Sequence, residues 1–157
     1  MKKSELLKEL KKKKELQLVE PSDEICFSYL EKSDESKKAA VLLFENRFYN
    51  DSISSAYYSI YNALTGLLFK TGIKSENHTA SIILLKLIYK ENELADEIFK
   101  SKEIRENAQY FITTQKIKES SMKIIQKAEE LILKLKLIIK NLNNSKIEQV
   151  REEFKKL

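Results

Sequence analysis

His78 and Arg105 are the candidate residues for acid–base and phosphate-binding chemistry in this sequence. His78 is the single histidine and Cys26 the single cysteine. Histidine has an ordinary pKa close to neutrality, and the permanent charge of Arg105 can hold a phosphate. Each also has a structural interpretation. An imidazole at a helix start can cap or pack as well as face an anion, and Arg105, between Glu103 and Glu106, can form a surface ion pair.

The residue inventory argues against several familiar chemistries. One histidine and one cysteine cannot build a His/Cys metal centre, and a lone cysteine excludes an intramolecular disulfide. Gly66 and Gly72 stand alone, so no glycine-rich phosphate loop is present. No nucleophile-elbow sequence accompanies His78. We therefore predict no cofactor and no metal site, with a carboxylate-bound Mg²⁺ left open, and hydrolases of the familiar kinds are not indicated.

Composition predicts an all-α fold. The 157 residues include two glycines and one proline, which is typical of long helices joined by short loops. The net charge of +5 suits an anionic partner, but basic and acidic residues are interspersed, as on an ordinary solvated helical surface. The N-terminus lacks the apolar stretch of a signal peptide, and no apolar run is long enough to span a membrane. We expect a cytoplasmic protein with no membrane partner.

Hydrophobic periodicity and capping residues divide the chain into helices. We expect a charged first helix over residues 4–17 and a second from Ser22 to residue 48, with a break near residues 33–34. Asn50 or Asp51 should cap a third helix that ends at Gly72, followed by a loop over residues 73–77. Three further helices should cover residues 78–88, 93–111 and 117–142, with residues 113–116 as a loop and a short amphipathic tail after residue 143.

The third helix should lie at the centre of the bundle. Its apolar residues fall at helical spacing and form one core-facing stripe: Ile53, Ala56, Tyr57, Ile60, Leu64, Leu67 and Leu68. Beside that stripe runs a row of small or polar residues that would let another helix approach closely: Ser52, Ser55, Ser59, Asn62 and Gly66.

Several segments in order along the chain resemble those of one family. They are SAYYSIYNAL at 55–64, LLFKTGI at 67–73, NHT at 77–79, RENAQY at 105–110 and AEEL at 128–131. Together they resemble the small prokaryotic HEPN proteins over about residues 25–140. The resemblance implies an antiparallel up-and-down bundle of four to five main helices that pairs as a homodimer. It also implies a toxin–antitoxin setting, with a minimal nucleotidyltransferase as a partner.

The resemblance leaves the question of catalysis open. The ribonuclease branch of the family carries an arginine followed four to six residues later by a histidine, which cleaves RNA without a metal. Arg105 matches the arginine, whereas Tyr110 stands in the place of the histidine and His78 lies far upstream. A tyrosine of ordinary pKa is a poor base at neutral pH. Arg105 and His78 are the candidate catalytic residues only if the fold brings them together.

We therefore expect residues 1–20 to form a charged N-terminal helix, 21–142 a HEPN-like bundle and 143–157 a C-terminal amphipathic helix. The leading hypothesis is a dimeric nucleotide- or RNA-binding module. Its candidate binding residues, expected in a polar groove at the dimer interface, are Arg105, His78, Asn107, Tyr110, Tyr57 and Tyr61. The alternatives are a weak metal-independent endoribonuclease and a non-catalytic helical bundle for dimerisation and protein docking.

Overall fold

The computed structural model describes residues 2–111 and 113–157, and within them the chain is an all-helical bundle with one small sheet. The helices are α1 (Lys3–Lys12), α2 (Asp23–Glu45), α3 (Tyr49–Lys70), α4 (His78–Leu87), α5 (Asn92–Asn107), α6 (Thr114–Asn141) and α7 (Asn144–Lys156). A 3₁₀ turn (Ala108–Tyr110) follows α5, and two short strands, β1 (Leu16–Leu18) and β2 (Ile73–Ser75), complete the fold. The predicted all-α fold class is confirmed.

Helices α2 and α3 form an antiparallel hairpin whose close contact depends on small residues. The buried Ser33 hydroxyl donates to the carbonyl of Ser59 at 2.6 Å. Gly66 lies so near α2 that a Cβ there would be 3.2 Å from the Cys26 carbonyl oxygen. The row of small residues therefore brings α2 against α3, as its spacing predicts. The expected break in α2 near residues 33–34 is wrong, because Ser33 is satisfied across this interface without interrupting the helix.

Helix α3 is the central element of the core. All seven residues of its predicted apolar stripe are buried. Helix α6 lies against the same hairpin, since Ser121 donates to the Ser52 hydroxyl at 2.9 Å and Lys136 pairs with Asp34 at 2.9 Å. The predicted position of α3 at the middle of the bundle is confirmed.

The two strands correct the prediction of a helix over residues 4–17 and of a loop over residues 73–77. Leu16 pairs with Ser75 and Leu18 with Ile73 in an antiparallel register. Lys14 has a φ of 60°, which turns the chain out of α1 and lets Leu16 enter the core. The charged sequence favours helix locally, but burial of Leu16 and backbone pairing with β2 prevail.

Several element boundaries also differ from the prediction. Helix α2 ends at Glu45 rather than at residue 48. Helix α3 begins at Tyr49, so the expected caps Asn50 and Asp51 lie in its first turn. Helix α5 ends at Asn107, and the 3₁₀ turn replaces its predicted end. Helix α6 begins at Thr114, because the Thr113 hydroxyl accepts from the backbone N–H of Lys116 and caps it, so residues 114–116 are helical.

Both ends of the chain pack on the common core. Leu7 and Leu10 of α1 and Val150 and Phe154 of α7 lie in the same cluster of buried residues as the apolar faces of α3 to α6. Arg151 of α7 reaches the strand region, where its Nη1 donates to the carbonyl oxygens of Val19, Thr71 and Gly72 at 2.8, 3.3 and 3.1 Å.

Candidate functional site

Three tyrosines on one turn of α3 form the floor of the candidate site. Tyr57 is fully buried, Tyr61 is partly buried, and Tyr58 is 41% exposed. The rings of Tyr57 and Tyr61 stack with their centroids 6.2 Å apart, and Tyr58 meets Tyr57 edge to face at 5.6 Å. The helical spacing that buries Tyr57 and Tyr61 leaves Tyr58, one residue along, at the surface. The site therefore has an aromatic floor with one accessible ring.

His78 lies on this aromatic floor at the first position of α4. The Asn77 side chain accepts from the backbone N–H of Ala80 and fixes the start of that helix. The imidazole stacks on the Tyr61 ring with centroids 3.6 Å apart and planes 13° from parallel. Its Nδ1 is 2.8 Å from the Tyr57 hydroxyl oxygen. Stacking and a hydrogen bond together hold the imidazole in one orientation.

Arg105 reaches the same tyrosines from α5. Its guanidinium carbon lies 4.8 Å from the Tyr57 ring centroid and 5.6 Å from that of Tyr58. Its Nη1 donates to the Tyr58 hydroxyl at 3.1 Å. The Nε nitrogen is buried and has no partner among the described residues. The structure thus places Arg105 against aromatic faces rather than in a fully exposed ion pair.

The fold brings His78 and Arg105 together. The His78 ring lies 5.7 Å from the Tyr57 centroid and 5.9 Å from that of Tyr58, so both side chains lie within about 6 Å of the same two rings. The sequence alone left this proximity open. The four residues Tyr57, Tyr61, His78 and Arg105 of the predicted site form one cluster.

Burial and neighbouring charges favour the neutral forms of His78, Tyr57 and Tyr61, whereas Arg105 is permanently charged. Burial lowers the pKa of His78, and the cations Arg105 and Lys102 lower it further, while Glu106 opposes them. The N-terminal end of α4 also disfavours an imidazolium. Burial raises the pKa of Tyr57 far above its ordinary range and raises that of Tyr61. At neutral pH the site presents a neutral imidazole beside a guanidinium.

Lys102 and Glu106 on α5 complete the charged edge of the site. The Lys102 ammonium pairs with the Glu106 carboxylate at 2.5 Å, and a guanidinium nitrogen of Arg105 is 3.7 Å from the same oxygen. The hydrogen bond from Lys102 lowers the pKa of Glu106, so that carboxylate is ionised at neutral pH. Two cations share one anion here, and this edge keeps an excess positive charge.

Two predicted site residues lie outside the cluster. Asn107, the last residue of α5, is exposed, and Tyr110 in the 3₁₀ turn is 72% exposed. Neither has a side-chain hydrogen bond to the aromatic cluster within the part of the chain that the structure describes. Helix α5 ends at Asn107, and Tyr110 lies beyond it in the 3₁₀ turn.

The predicted set missed Tyr58, Lys102 and Glu106. Lys102 and Glu106 could have been found from the sequence. Lys102 precedes Arg105 by three residues and Glu106 by four, and residues three or four apart share a helix face. Tyr58 lies next to the predicted residue Tyr57 in the sequence, but its contact with Arg105 joins two helices that are far apart in sequence.

The arrangement is suited to an anion rather than a metal. Among residues 2–111 and 113–157, no group of three or more histidine, cysteine or acidic side chains is placed to hold a metal ion. A stacked guanidinium and an imidazole can instead hydrogen-bond to phosphate oxygens, and an aromatic ring can pack on a nucleobase. The site therefore has the donors for a phosphorylated ligand.

Comparison with known proteins identifies the family. The HEPN domain model matches residues 28–156, and this chain belongs to the HEPN domain family. Two Methanocaldococcus jannaschii proteins, each named "Putative toxin", are 29% identical to it over 118 and 120 residues. Each alignment covers 72% of this chain and 87% or 82% of the relative. A UPF0332 protein from Pyrococcus horikoshii is 26% identical over 129 residues, 80% of this chain and 91% of its own length.

The family assignment makes this a HEPN protein related to toxin-type proteins. In the segments that the structure describes, no helix is both long enough and apolar enough to cross a membrane.

Proposed function

We propose that this chain is a toxin-type HEPN protein that binds RNA or a nucleotide by its phosphate groups as a cytoplasmic homodimer. The observation that supports this most directly is the convergence of Arg105 and His78 on the rings of Tyr57 and Tyr58. A fixed guanidinium and a neutral imidazole on one aromatic surface are the groups expected at a phosphate site.

Arg105 is the principal phosphate ligand in this proposal. A guanidinium has five N–H donors in a planar fork, and Arg105 uses one on Tyr58 within the described residues. Its plane is held by Tyr57 and Tyr58, so little rotamer freedom remains to be lost when a phosphate binds. Lys102 adds a second positive charge at the same edge.

Tyr58 is the proposed stacking surface for a base. It is the one tyrosine of the cluster with substantial exposure, and its hydroxyl already orients Arg105. A base stacked on an aromatic ring is bound through its π face, which all four bases possess. We therefore expect phosphate recognition with little sequence preference.

Dimerisation and a nucleotidyltransferase partner are proposed from the family relationship. Sedimentation or light scattering on the purified protein tests the dimer. Co-purification with the product of a neighbouring nucleotidyltransferase gene, where one exists, tests the partner. A strictly monomeric protein would remove the homodimer from the proposal.

The binding experiment compares Arg105→Gln with a matched control, Arg47→Gln, which removes the same charge from an exposed site distant in sequence. Fluorescently labelled single-stranded RNA and labelled ATP are titrated at several salt concentrations. We expect Arg105→Gln to weaken binding by about 10-fold or more, because a charge-assisted hydrogen bond is worth about 1.5–3 kcal/mol. For RNA, the magnitude of the slope of log association constant against log salt concentration should decrease by about 0.7, the value for one lost phosphate contact to a single strand.

Arg47→Gln should leave both quantities close to wild type. Circular dichroism shows whether each variant is folded. Absence of salt-sensitive binding to RNA and to ATP in the wild type would contradict the proposed function and favour a bundle that serves dimerisation and protein docking alone.

The second candidate function is weak, metal-independent RNA cleavage. The specific observation in its favour is that His78 and Arg105, the two candidate catalytic residues, both lie against the same pair of tyrosine rings. It predicts cleavage in the presence of EDTA that is lost in both Arg105→Gln and His78→Gln. Cleavage that persists in both variants would be assigned to a contaminating nuclease.

A further inference from the structure

We propose that the Tyr57 hydroxyl holds neutral His78 in the tautomer with its proton on Nε2, so that the imidazole offers a hydrogen-bond donor to an anionic oxygen. Tyr57 is thus a positioning residue that acts through His78. The identity of that oxygen, a phosphate of RNA or nucleotide, rests on the proposed function. The tautomer itself rests only on the geometry of the free protein.

The buried hydroxyl of Tyr57 needs a hydrogen-bond acceptor. Tyr57 is fully buried, and the one hydrogen-bond partner of its hydroxyl among the described residues is His78 Nδ1 at 2.8 Å. A buried O–H that donates to nothing costs about 1–3 kcal/mol. The hydroxyl therefore donates to Nδ1, and Nδ1 must carry a lone pair. A neutral imidazole whose Nδ1 is unprotonated carries its hydrogen on Nε2.

The imidazole cannot easily turn over, a motion that would exchange Nδ1 with a ring carbon and break the hydrogen bond to the Tyr57 hydroxyl. The Tyr61 ring covers one face of the imidazole, with the two centroids 3.6 Å apart. The Tyr58 ring lies 5.9 Å from the imidazole centroid and is 89° from the imidazole plane. His78 is partly exposed, and Nε2 has no protein partner in residues 2–111 and 113–157. The free N–H is consequently on the side of the ring that does not contact Tyr57.

The surrounding charges favour the neutral imidazole. The titratable and charged groups that act on it are Tyr57, Tyr58 and Tyr61 from α3 and Lys102, Arg105 and Glu106 from α5. Protonation would put a hydrogen on Nδ1 facing the Tyr57 hydroxyl, which could then no longer donate to it, and would add a positive charge that Arg105 and Lys102 disfavour. Burial, and after it the positive charges of Arg105 and Lys102, lower the pKa of His78, while Glu106 raises it.

This tautomer of His78 determines whether the imidazole can act as a hydrogen-bond donor or as a base. In this tautomer Nε2 has no free lone pair, so it cannot accept a proton from a ribose hydroxyl. It can donate to a phosphate oxygen beside the Arg105 guanidinium. The geometry therefore favours phosphate binding over general-base catalysis by His78, and it separates the two candidate functions.

The experiment uses the fact that His78 is the single histidine, so one imidazole appears in a long-range ¹H–¹⁵N NMR spectrum. In the wild-type protein above the pKa of His78, we expect Nε2 protonated and Nδ1 unprotonated. A protonated Nδ1, or two tautomers in comparable amounts, would overturn the inference. This measurement needs no variant.

Two variants test the role of the hydroxyl. Tyr57→Phe removes the donor that stabilises the neutral ring, so the pKa of His78 should rise. Tyr61→Phe is the matched control, because it keeps the stacked ring and removes a hydroxyl whose partner is Ser81. The pKa of His78 should change little in that control. An equal change in both variants would show that the Tyr57 hydrogen bond has no specific effect on His78.

Addition of RNA or ATP separates this inference from the proposed function. A bound ligand should move the Nε2–H proton resonance, and binding that leaves it unmoved would overturn the donor role. If the tautomer is as expected but neither ligand binds, the proposed function fails, while the spectrum of the free protein still supports the assigned tautomer.

Discussion

Replacement of Ser52 by alanine should destabilise the bundle more than replacement of its partner Ser121. Both serines are fully buried. Ser121 donates to the Ser52 hydroxyl at 2.9 Å, and Ser52 donates to the carbonyl oxygen of Ala40 at 2.7 Å. This chain of donors joins α6, α3 and α2 beside the turn of α3 that carries the tyrosines. The direction of donation makes the two serines unequal.

The magnitudes follow from what each change leaves behind. Ser52→Ala leaves the Ser121 hydroxyl buried without its acceptor, which should cost about 2 kcal/mol. Ser121→Ala leaves no orphaned donor and loses one hydrogen bond, which should cost about 1 kcal/mol. In the double variant the orphaned hydroxyl is also gone, so its cost should not exceed that of Ser52→Ala. The two changes should therefore be non-additive.

Urea unfolding followed by circular dichroism measures these free energies. Ser54→Ala, at a partly exposed position on α3, serves as the control and should fall within about 0.5 kcal/mol of wild type. For a chain of this size, a change of about 2 kcal/mol corresponds to a decrease in Tm of roughly 4–8 °C. Additive costs in the double variant, or a Ser121→Ala cost equal to that of Ser52→Ala, would refute the assigned donor directions.

Three further predictions concern the strand region and the pH dependence of stability. Gly72 has a φ of 74°, and a Cβ there would lie 2.5 Å from the Val19 carbonyl oxygen and 2.9 Å from the Pro21 nitrogen; Gly72→Ala should cost about 3 kcal/mol in urea unfolding. Arg151→Ala removes donors to three carbonyls and should cost about 2 kcal/mol in the same assay, with unchanged stability arguing against that role. Because the pKa of His78 is lowered in the folded state, the unfolded chain takes up its proton first. Stability should then fall as the pH decreases below about 6.5, the ordinary value, and His78→Gln should abolish this part of the dependence; an identical pH profile in the variant would contradict it.

The helices could be predicted because their signals are local. Periodic apolar residues, a low glycine and proline content and the cap Ser22 define most of the elements. The centre of α3 could be predicted for the same reason, since its stripe and its row of small residues lie on one continuous helix. The HEPN resemblance also came from short segments, which lie in helices or at helix ends.

Two of the errors arose where a distant partner decided the local structure. The first helix is predicted to continue to residue 17, but Leu16 is buried against the bundle and pairs with Ser75. Ser33 looks like a break in α2, but its hydroxyl has a carbonyl acceptor on α3. In each case the energy that decided the structure comes from a residue that a local window does not include.

The candidate site divides in the same way. The sequence supplied His78, Arg105, Tyr57 and Tyr61 as chemically suitable residues, because side-chain type determines which groups can donate, stack or carry charge. Only the tertiary structure decided that Arg105 and His78 meet on the α3 tyrosines and that Tyr110 does not join them. That outcome depends on how α4 and α5 pack across α3, and packing depends on the shapes of all the buried side chains together.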